Sequence, residues 1–225
     1  MTQHALVLPG GSYQTHAPHE AEPVAVWLER MGLPATVLRY PVRRAHPAAH
    51  RAIGARVAEL RAQGVERILL VGFSAGGHAA GLAALAPVSA AAGVDGVVLG
   101  YPVVSLQDRP HGNSAAVLLG EHDTPHRRAV LSLERLVTPT APPFFVFHSF
   151  DDPKVPVEHS LLLSSALAAS GVAHELHLYP VGGHGCGLAP DRVGWTRACE
   201  AWLAREGWTA SATEGIDTPP ATGHS

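Results

Sequence analysis

Short, almost continuously apolar runs recur along the chain, separated by longer segments in which apolar residues return every three or four positions. Uninterrupted runs of this kind are typical of strands that are covered on both faces of a parallel sheet. Six such runs predict strands, over residues 5–8, 35–40, 67–73, 96–101, 143–148 and 175–179.

The segments between these runs have helical character. Val24, Trp27, Leu28 and Met31 recur at intervals of three and four, which places them on one face of a helix. Several segments are followed directly by a glycine, as is common at helix C-termini. Five helices are predicted, over residues 20–31, 47–63, 75–86, 156–170 and 191–205.

This alternation predicts one α/β domain over residues 1–208, with a mainly parallel sheet of about six strands between two layers of helices. Residues 100–137 interrupt the rhythm. Their middle is rich in His, Gly, Asp and Pro, which indicates an excursion above the sheet rather than a large lid domain. Residues 209–225 offer little to bury and are predicted to form a disordered polar tail.

Composition excludes several functional classes. The 225 residues are 46% hydrophobic and carry a formal net charge of -3, so we expect a real core, no nucleic-acid partner and no membrane association. The two cysteines do not make a disulfide framework. The N-terminal residues do not read as a signal peptide, and no apolar run approaches the ~20 residues of a membrane span. A cytoplasmic protein is therefore expected.

The strongest chemical signal is Gly-Phe-Ser-Ala-Gly-Gly at residues 72–77, directly after the third predicted strand and before a predicted helix. A Gly-x-Ser-x-Gly turn in this context is typical of a nucleophile elbow, in which the backbone is strained and the serine is presented at the top of the sheet. The helix N-terminus would stabilise negative charge beside the serine. A plain glycine turn is the alternative, but the context favours Ser74 as a nucleophile.

A serine nucleophile needs a base, and the base needs an orienting acid. In a parallel sheet both should follow strands, at the carboxyl edge. His184 lies between two glycines after the sixth predicted strand, whereas Asp151 and Asp152 follow the fifth. Asp152 is predicted to be the acid because it is in register with the Asp-x-x-Val-Pro run before the next helix. Asp151 is expected to cap the turn or to face solvent.

The developing oxyanion needs hydrogen-bond donors as well. We expect one from the backbone N–H of Ala75, directly after the nucleophile, and a second from Gly11 or Ser12 in the turn that follows the first strand. A phosphate-binding turn is a weak alternative, because neither a Gly-x-Gly-x-x-Gly motif nor a P-loop lysine is present.

Substrate contacts are expected from two regions. Tyr13 and residues 100–123 are predicted to narrow the acyl side of the pocket, and no long lid insertion is present to admit large lipid substrates. His111 and His122, with Asp123, are candidate contacts to a sugar alcohol. Solvated loop residues are the alternative reading of these polar side chains.

Fifteen histidines raise the alternative of a metal site. His46 and His50 are four residues apart on a predicted helix, which can place both imidazoles on one face. No glutamate follows His46 and no third ligand is evident, so we expect neither a metal nor a cofactor. Cys186 follows no elbow and is expected to be a packing residue beside His184.

These motifs resemble those of the small α/β-hydrolase esterases grouped with acetyl xylan esterases and dienelactone-hydrolase-like proteins. The likeness extends from residue 5 to about residue 203. It rests on Leu-Pro-Gly-Gly-Ser-Tyr at 8–13, His-Glu-Ala-Glu-Pro at 19–23, residues 72–78, Gly-Tyr-Pro-Val-Val-Ser at 100–105, Leu-Ser-Leu-Glu at 131–134, residues 148–160 and Gly-Gly-His-Gly-Cys-Gly-Leu at 182–188.

The resemblance implies a three-layer α/β-hydrolase fold and a serine carboxylesterase for small, acetyl-type esters. It implies a triad of Ser74, Asp152 and His184, an acyl-enzyme intermediate and no cofactor. Acetylated sugars or xylo-oligosaccharides are candidate small-molecule substrates. A peptidase of the same fold and a non-catalytic binding protein are the alternatives.

Two departures from the family pattern stand out. Ser12 occupies a position where a third glycine is usual, which a backbone donor tolerates. The chain also begins at the first parallel strand, without the leading antiparallel strands of many family members. A smaller sheet, or a second subunit that covers its edge in a homo-oligomer, is therefore an open expectation.

Overall fold

The computed structural model of the protein describes residues 1–188 and 193–210. Its strands are β1 Gln3–Leu8, β2 Ala35–Val37, β3 Arg67–Phe73, β4 Gly96–Gly100, β5 Phe144–Ser149 and β6 His174–Tyr179. They form one sheet in the order β2-β1-β3-β4-β5-β6, and every neighbouring pair is parallel. The six predicted strands and the predicted parallel sheet are confirmed.

Helices cover both faces of this sheet. They are α1 Glu22–Arg30, α2 Ala48–Ala62, α3 Ser74–Leu85, α4 Gly112–Leu119, α5 Pro125–Val130, α6 Glu158–Ala169 and α7 Trp195–Arg205. The buried side chains of α2, α3 and α6 join the core on one face, and those of α1 and α7 join the core on the other. The predicted three-layer architecture is confirmed. Among the described residues, no helix is long and apolar enough to cross a bilayer.

The continuous apolar runs follow from this double coverage. Successive side chains of a strand point to opposite faces of the sheet. Ile68 and Leu70 of β3 therefore belong to one core layer, whereas Leu69 and Val71 belong to the other. Because both faces of β3 are covered, both of these sets of side chains are apolar.

Residues 100–137 form the predicted excursion, and in the described chain they build no large lid domain. The sequence analysis did not predict that they contain α4 and α5. These helices have eight and six residues, which is too short for a helical period to stand out. Ala115, Leu118 and Leu119 of α4 nevertheless join the core beneath them.

Two element boundaries and the tail need comment. β2 ends at Val37 rather than at residue 40, because Tyr40 turns into the core and its hydroxyl donates to the carbonyl of Pro9 at 2.7 Å. The last helix begins at Trp195, so residues 193 and 194 of the predicted helix are not helical, and its predicted start at residue 191 lies outside the described residues. The predicted disordered tail does so as well, from residue 211 onwards.

Helix α3 approaches the sheet closely because glycines stand at the contact. A Cβ at Gly76 would overlap the carbonyl oxygen of Leu8 and would lie 2.6 Å from that of Pro9. A Cβ at Gly72 would lie 2.8 Å from Cβ of Ala80. The N-terminus of α3 is therefore held against the carboxyl end of β1.

We expect Gly76→Ala to lower the free energy of unfolding by about 1–3 kcal/mol, because the added methyl group must push α3 away from the carbonyl groups after β1. Urea unfolding followed by circular dichroism measures this change. Gly112→Ala is the matched control, because nothing lies within 4 Å of its Cβ position. A stability of Gly76→Ala equal to that of the wild type would contradict the close contact.

Candidate active site

Ser74 lies at the carboxyl end of β3 and is the first residue of α3. Phe73 before it is extended, with φ -124° and ψ 138°, whereas Ser74 has a φ of 53°. This left-handed conformation is rare for residues other than glycine. The chain therefore reverses sharply between strand and helix, which is the strained geometry that the Gly-x-Ser-x-Gly motif predicts.

A chain of hydrogen bonds connects Ser74 to two residues that are distant in sequence. Ser74 Oγ lies 2.9 Å from Nε2 of His184, which follows β6. Nδ1 of His184 lies 2.7 Å from Oδ2 of Asp152, which follows β5. Gly183 and Gly185 on either side of His184 have φ values of 63° and 76°, so the turn that presents the imidazole requires glycines there.

The surroundings of Asp152 define its charge. Its side chain has no exposed surface, yet Oδ1 accepts the backbone N–H groups of Lys154 at 2.8 Å and Val155 at 2.9 Å. Burial acts to raise the pKa of Asp152, but the hydrogen bonds from His148, His184 and Val155 outweigh it and hold the pKa well below its usual range. Because an ionised carboxylate only accepts, His184 carries its proton on Nδ1 and offers Nε2 to the hydroxyl of Ser74.

His148 is a second imidazole on this carboxylate, to which the sequence analysis assigned no role. Its Nε2 lies 3.2 Å from Oδ2 of Asp152 and 2.9 Å from the carbonyl oxygen of Val155. Both partners are acceptors, so Nε2 carries the proton and Nδ1 accepts the hydroxyl of Ser160 at 2.7 Å. His148 and Asp152 are four residues apart across the turn after β5, a spacing that could have indicated the pair.

Asp151, the neighbour of Asp152, has a different place. It is exposed, and its Oδ1 accepts the backbone N–H of Gly183 at 2.8 Å. In the described part of the chain, no hydrogen bond joins Asp151 to the imidazole of His184. Of the two adjacent carboxylates, Asp152 is the one that the structure brings to the imidazole.

The predicted oxyanion donors lie around the same hydroxyl group. Ala75 is the second residue of α3, where backbone N–H groups have no acceptor within the helix. Gly11 and Ser12 line the cleft beside Ser74, and in the described chain no backbone acceptor is paired with either N–H group. A Cβ at Gly10 would lie 2.9 Å from Cβ of Ser74, so this turn lies directly against the serine.

A cleft of about 190 Å³ opens at Ser74 and His184. It is lined by Gly11, Ser12, Ala17, His19, Glu20, Ser74, His111, Lys154, His184 and Gly185. His111, a predicted substrate contact, is thus part of the wall. Burial lowers the pKa of His111, and its Nδ1 accepts the N–H of Ser114 at 3.3 Å, so the neutral ring has Nε2 as its donor.

Two other predicted pocket residues are not part of this wall. Tyr13 is 1% exposed, and its hydroxyl lies 2.8 Å from Nδ1 of His78 in the core. Tyr13 is therefore packed in the core and does not line the cleft, so the expectation that it narrows the acyl side is corrected. His122 lies exposed in a short turn after α4 and does not line the cleft either.

The remaining candidates are in other parts of the fold. The rings of His46 and His50 stack with centroids 5.5 Å apart, and burial lowers the pKa of His46 to about 4. In residues 1–188 and 193–210, no three His, Cys, Asp or Glu side chains gather as metal ligands would. Cys186 packs against the core, and burial raises the pKa of its thiol to about 12.

Known proteins are similar to this chain in sequence and in fold. Residues 55–207 match the prolyl oligopeptidase family. An endo-1,4-beta-xylanase B from Butyrivibrio fibrisolvens is 31% identical over 217 residues, which cover 85% of this chain and 34% of that protein. The chain thus spans about a third of the length of this relative.

Solved structures extend the comparison. An acetyl ester-xyloside bifunctional hydrolase from Caldicellulosiruptor lactoaceticus has a TM-score of 0.87 and 37% identity, over 93% of this chain and 85% of that chain. The carboxylesterase Cest-2923 from Lactobacillus plantarum WCFS1 has a TM-score of 0.79 and 24% identity, over 93% and 87%, which shows the shared fold. The predicted resemblance is confirmed: the chain belongs to the prolyl oligopeptidase family and is a serine hydrolase of the α/β-hydrolase fold.

Proposed function

We propose that this hydrolase is a carboxylesterase for small, acetyl-type esters and that Ser74, His184 and Asp152 are its catalytic triad. The observation that carries the proposal is the hydrogen-bonded chain from Ser74 Oγ through His184 to Asp152, with distances of 2.9 Å and 2.7 Å. Its members follow three different strands and meet at one edge of the sheet. A protein that only binds a ligand has no need for all three.

In the proposed acylation step, Ser74 Oγ attacks the carbonyl carbon of the ester while its proton passes to Nε2 of His184. The carboxylate of Asp152 keeps Nδ1 protonated and stabilises the imidazolium that forms. The bond between the carbonyl carbon and the alcohol oxygen then breaks, and His184 returns the proton to that oxygen. The acyl group stays on Ser74 as an ester.

Deacylation repeats these steps with water as the nucleophile. His184 takes a proton from the water molecule, whose oxygen attacks the acyl carbon, and the proton returns to Ser74 Oγ as the carboxylic acid leaves. In both steps the charge on the carbonyl oxygen is met by the N–H of Ala75 and by that of Gly11 or Ser12. Loss of one such donor typically costs about 10²–10³-fold in kcat.

The dimensions and lining of the cleft support a small, polar substrate. Its volume of about 190 Å³ is below the roughly 300–1,000 Å³ of sites for drug-sized ligands. His111 and Lys154 give its wall donors that suit a hydroxyl-rich alcohol. The names of the hydrolase from Caldicellulosiruptor lactoaceticus and of the xylanase relative support acetylated xylo-oligosaccharides or other acetylated sugars.

A peptidase is the second candidate, because the matched family is named for an oligopeptidase. The same triad would attack an amide carbonyl in the same way. The two functions differ in the leaving group that the cleft accepts, which makes substrate preference the discriminating measurement.

Replacement of the proposed nucleophile is the first test. Ser74→Ala should lower kcat for nitrophenyl acetate by about 10⁴-fold or more, because no hydroxyl remains to be acylated. An organophosphonate probe should label the wild type at residue 74 and leave the variant unlabelled. The control is Ser164→Ala, which should keep wild-type turnover, because the hydroxyl of Ser164 bonds to His174 at 2.9 Å and not to the triad. Wild-type turnover by Ser74→Ala would remove the assignment.

The two adjacent aspartates provide a matched pair. Asp152→Asn should lower kcat by about 10⁴-fold, because the amide favours the wrong tautomer of His184. Asp151→Asn should keep most of the activity, because its amide oxygen can still accept the N–H of Gly183. Steady-state kinetics on nitrophenyl acetate measure both. Equal losses in the two variants would contradict the choice of Asp152.

Substrate preference tests the class of ester. The wild type should hydrolyse nitrophenyl acetate with a higher kcat/KM than the octanoate ester, and should release acetate from acetylated xylo-oligosaccharides. Prolyl peptide nitroanilides should be poor substrates. A preference for octanoate would contradict the small acyl site, and faster turnover of the peptides would favour the peptidase.

A further inference from the structure

Glu20 is a buried carboxylate at the edge of the active-site cleft that the proposed mechanism does not use. Its residue exposure is 2%, and it ends the short 3₁₀ turn Pro18–Glu20 within the His-Glu-Ala-Glu-Pro motif. A carboxylate removed from water is costly unless hydrogen bonds satisfy it. The groups that satisfy it therefore indicate what it does.

Its two oxygens bind donors from different loops. Oε2 accepts the backbone N–H of Gly10 at 2.8 Å, and Oε1 accepts the hydroxyl of Tyr101 at 2.8 Å. The Tyr101 hydroxyl in turn accepts the backbone N–H of Gly187 at 3.1 Å. One carboxylate thus joins the turn after β1, the end of β4 and the loop that carries His184.

The peptide of Gly10 lies between this carboxylate and the nucleophile. A Cβ at Gly10 would lie 2.7 Å from Oε2 of Glu20 and 2.9 Å from Cβ of Ser74. The N–H of Gly10 donates to Glu20 and is not available to a substrate. Gly11 and Ser12, the next two residues, line the cleft in which the oxyanion would form. A second hydrogen bond joins this segment to the loop of His184, since His19 Nε2 lies 3.0 Å from the carbonyl oxygen of Gly185.

We propose that Glu20 is a positioning residue, which sets the oxyanion turn at Gly11 and Ser12 against Ser74 and ties it through Tyr101 to the loop of His184. The proposal deepens the proposed esterase function and rests on it. Glu20 touches no reacting atom in this role. Its effect appears where charge develops on the carbonyl oxygen and not in the binding of the ester.

The test uses Glu20→Gln, which keeps the shape of the side chain but turns one acceptor into a donor, so that it can no longer accept from both Gly10 and Tyr101. We expect kcat for nitrophenyl acetate to fall about 10²-fold, since small displacements of catalytic groups have effects of that size, with KM nearly unchanged. Affinity for a trifluoromethyl ketone, whose alkoxide adduct on Ser74 needs the same donors, should fall with kcat.

Two further variants complete the design. Tyr101→Phe removes only the link to the histidine loop. It should therefore also lower kcat with KM nearly unchanged, but by a smaller factor than Glu20→Gln. The double variant should lose less than the two separate losses combined, because both changes act on one network. Glu22→Gln is the matched control, since Glu22 is exposed and pairs with Arg39 at 2.6 Å, and it should keep wild-type kinetics.

The outcomes separate this proposal from the esterase assignment. Wild-type kinetics for Glu20→Gln, a raised KM with unchanged kcat, or unchanged affinity for the ketone would each overturn the positioning role while the esterase stands. If Glu20→Gln does not fold, Tyr101→Phe decides, and wild-type kinetics there would overturn the proposal. A wild type that neither hydrolyses esters nor is labelled at Ser74 would remove the function and the proposal with it.

Discussion

At the junction of β3 and α3 the backbone of Ser74 adopts a left-handed conformation, which costs of order 1–3 kcal/mol for a residue with a side chain. The surrounding structure must over-determine this conformation. It does so through the close approach of α3 to the sheet at Gly72 and Gly76, and through the bond from the N–H of Val103 to the carbonyl of Ser74 at 3.1 Å. The position of the hydroxyl group is therefore set by helix packing, and the loops around it have to fit that position.

Buried carboxylates, in addition to apolar packing, hold these loops together. Asp152 accepts four hydrogen bonds, from His148, His184 and two backbone N–H groups, and Glu20 accepts two. Each carboxylate joins segments that are far apart in sequence. If one of these loops moves away, its own contacts are lost and a buried carboxylate is left without a donor, which adds a further free-energy cost. Polar side chains such as Glu20, Lys154 and His184 line the cleft, although both core layers beneath it are apolar.

The sequence predicted most of what depends on local pattern. The strands were found because both faces of the sheet are covered, and Ser74, His184 and Asp152 were singled out because each follows a strand. The burial of Tyr13 could not be predicted, since its hydroxyl bonds to His78, a residue 65 positions further along the chain. The short helices α4 and α5 carry too few turns to show a period.

Glu20 was missed for a related reason, because its partners, the N–H of Gly10 and the hydroxyl of Tyr101, lie on other loops and leave no trace in a one-dimensional pattern. His148 is a different case, because its partner Asp152 is only four residues away and that spacing was overlooked. His111 could be named from its place in a His-rich loop, but His122 has the same kind of surroundings in sequence and lies in solvent. Distance from the cleft is a property of the folded loops alone.

The order of the strands has a consequence for how the molecule would fail on heating. β6 is the last strand of the described sheet and pairs only with β5, and His184 follows it. Strands at the margin of a sheet open at lower free energy than its centre. Detachment of β6 would move His184 away from the hydroxyl group of Ser74, which the inner strand β3 still holds in place. Thermal inactivation would then precede the loss of secondary structure, with the seryl nucleophile still properly presented in the inactive molecules.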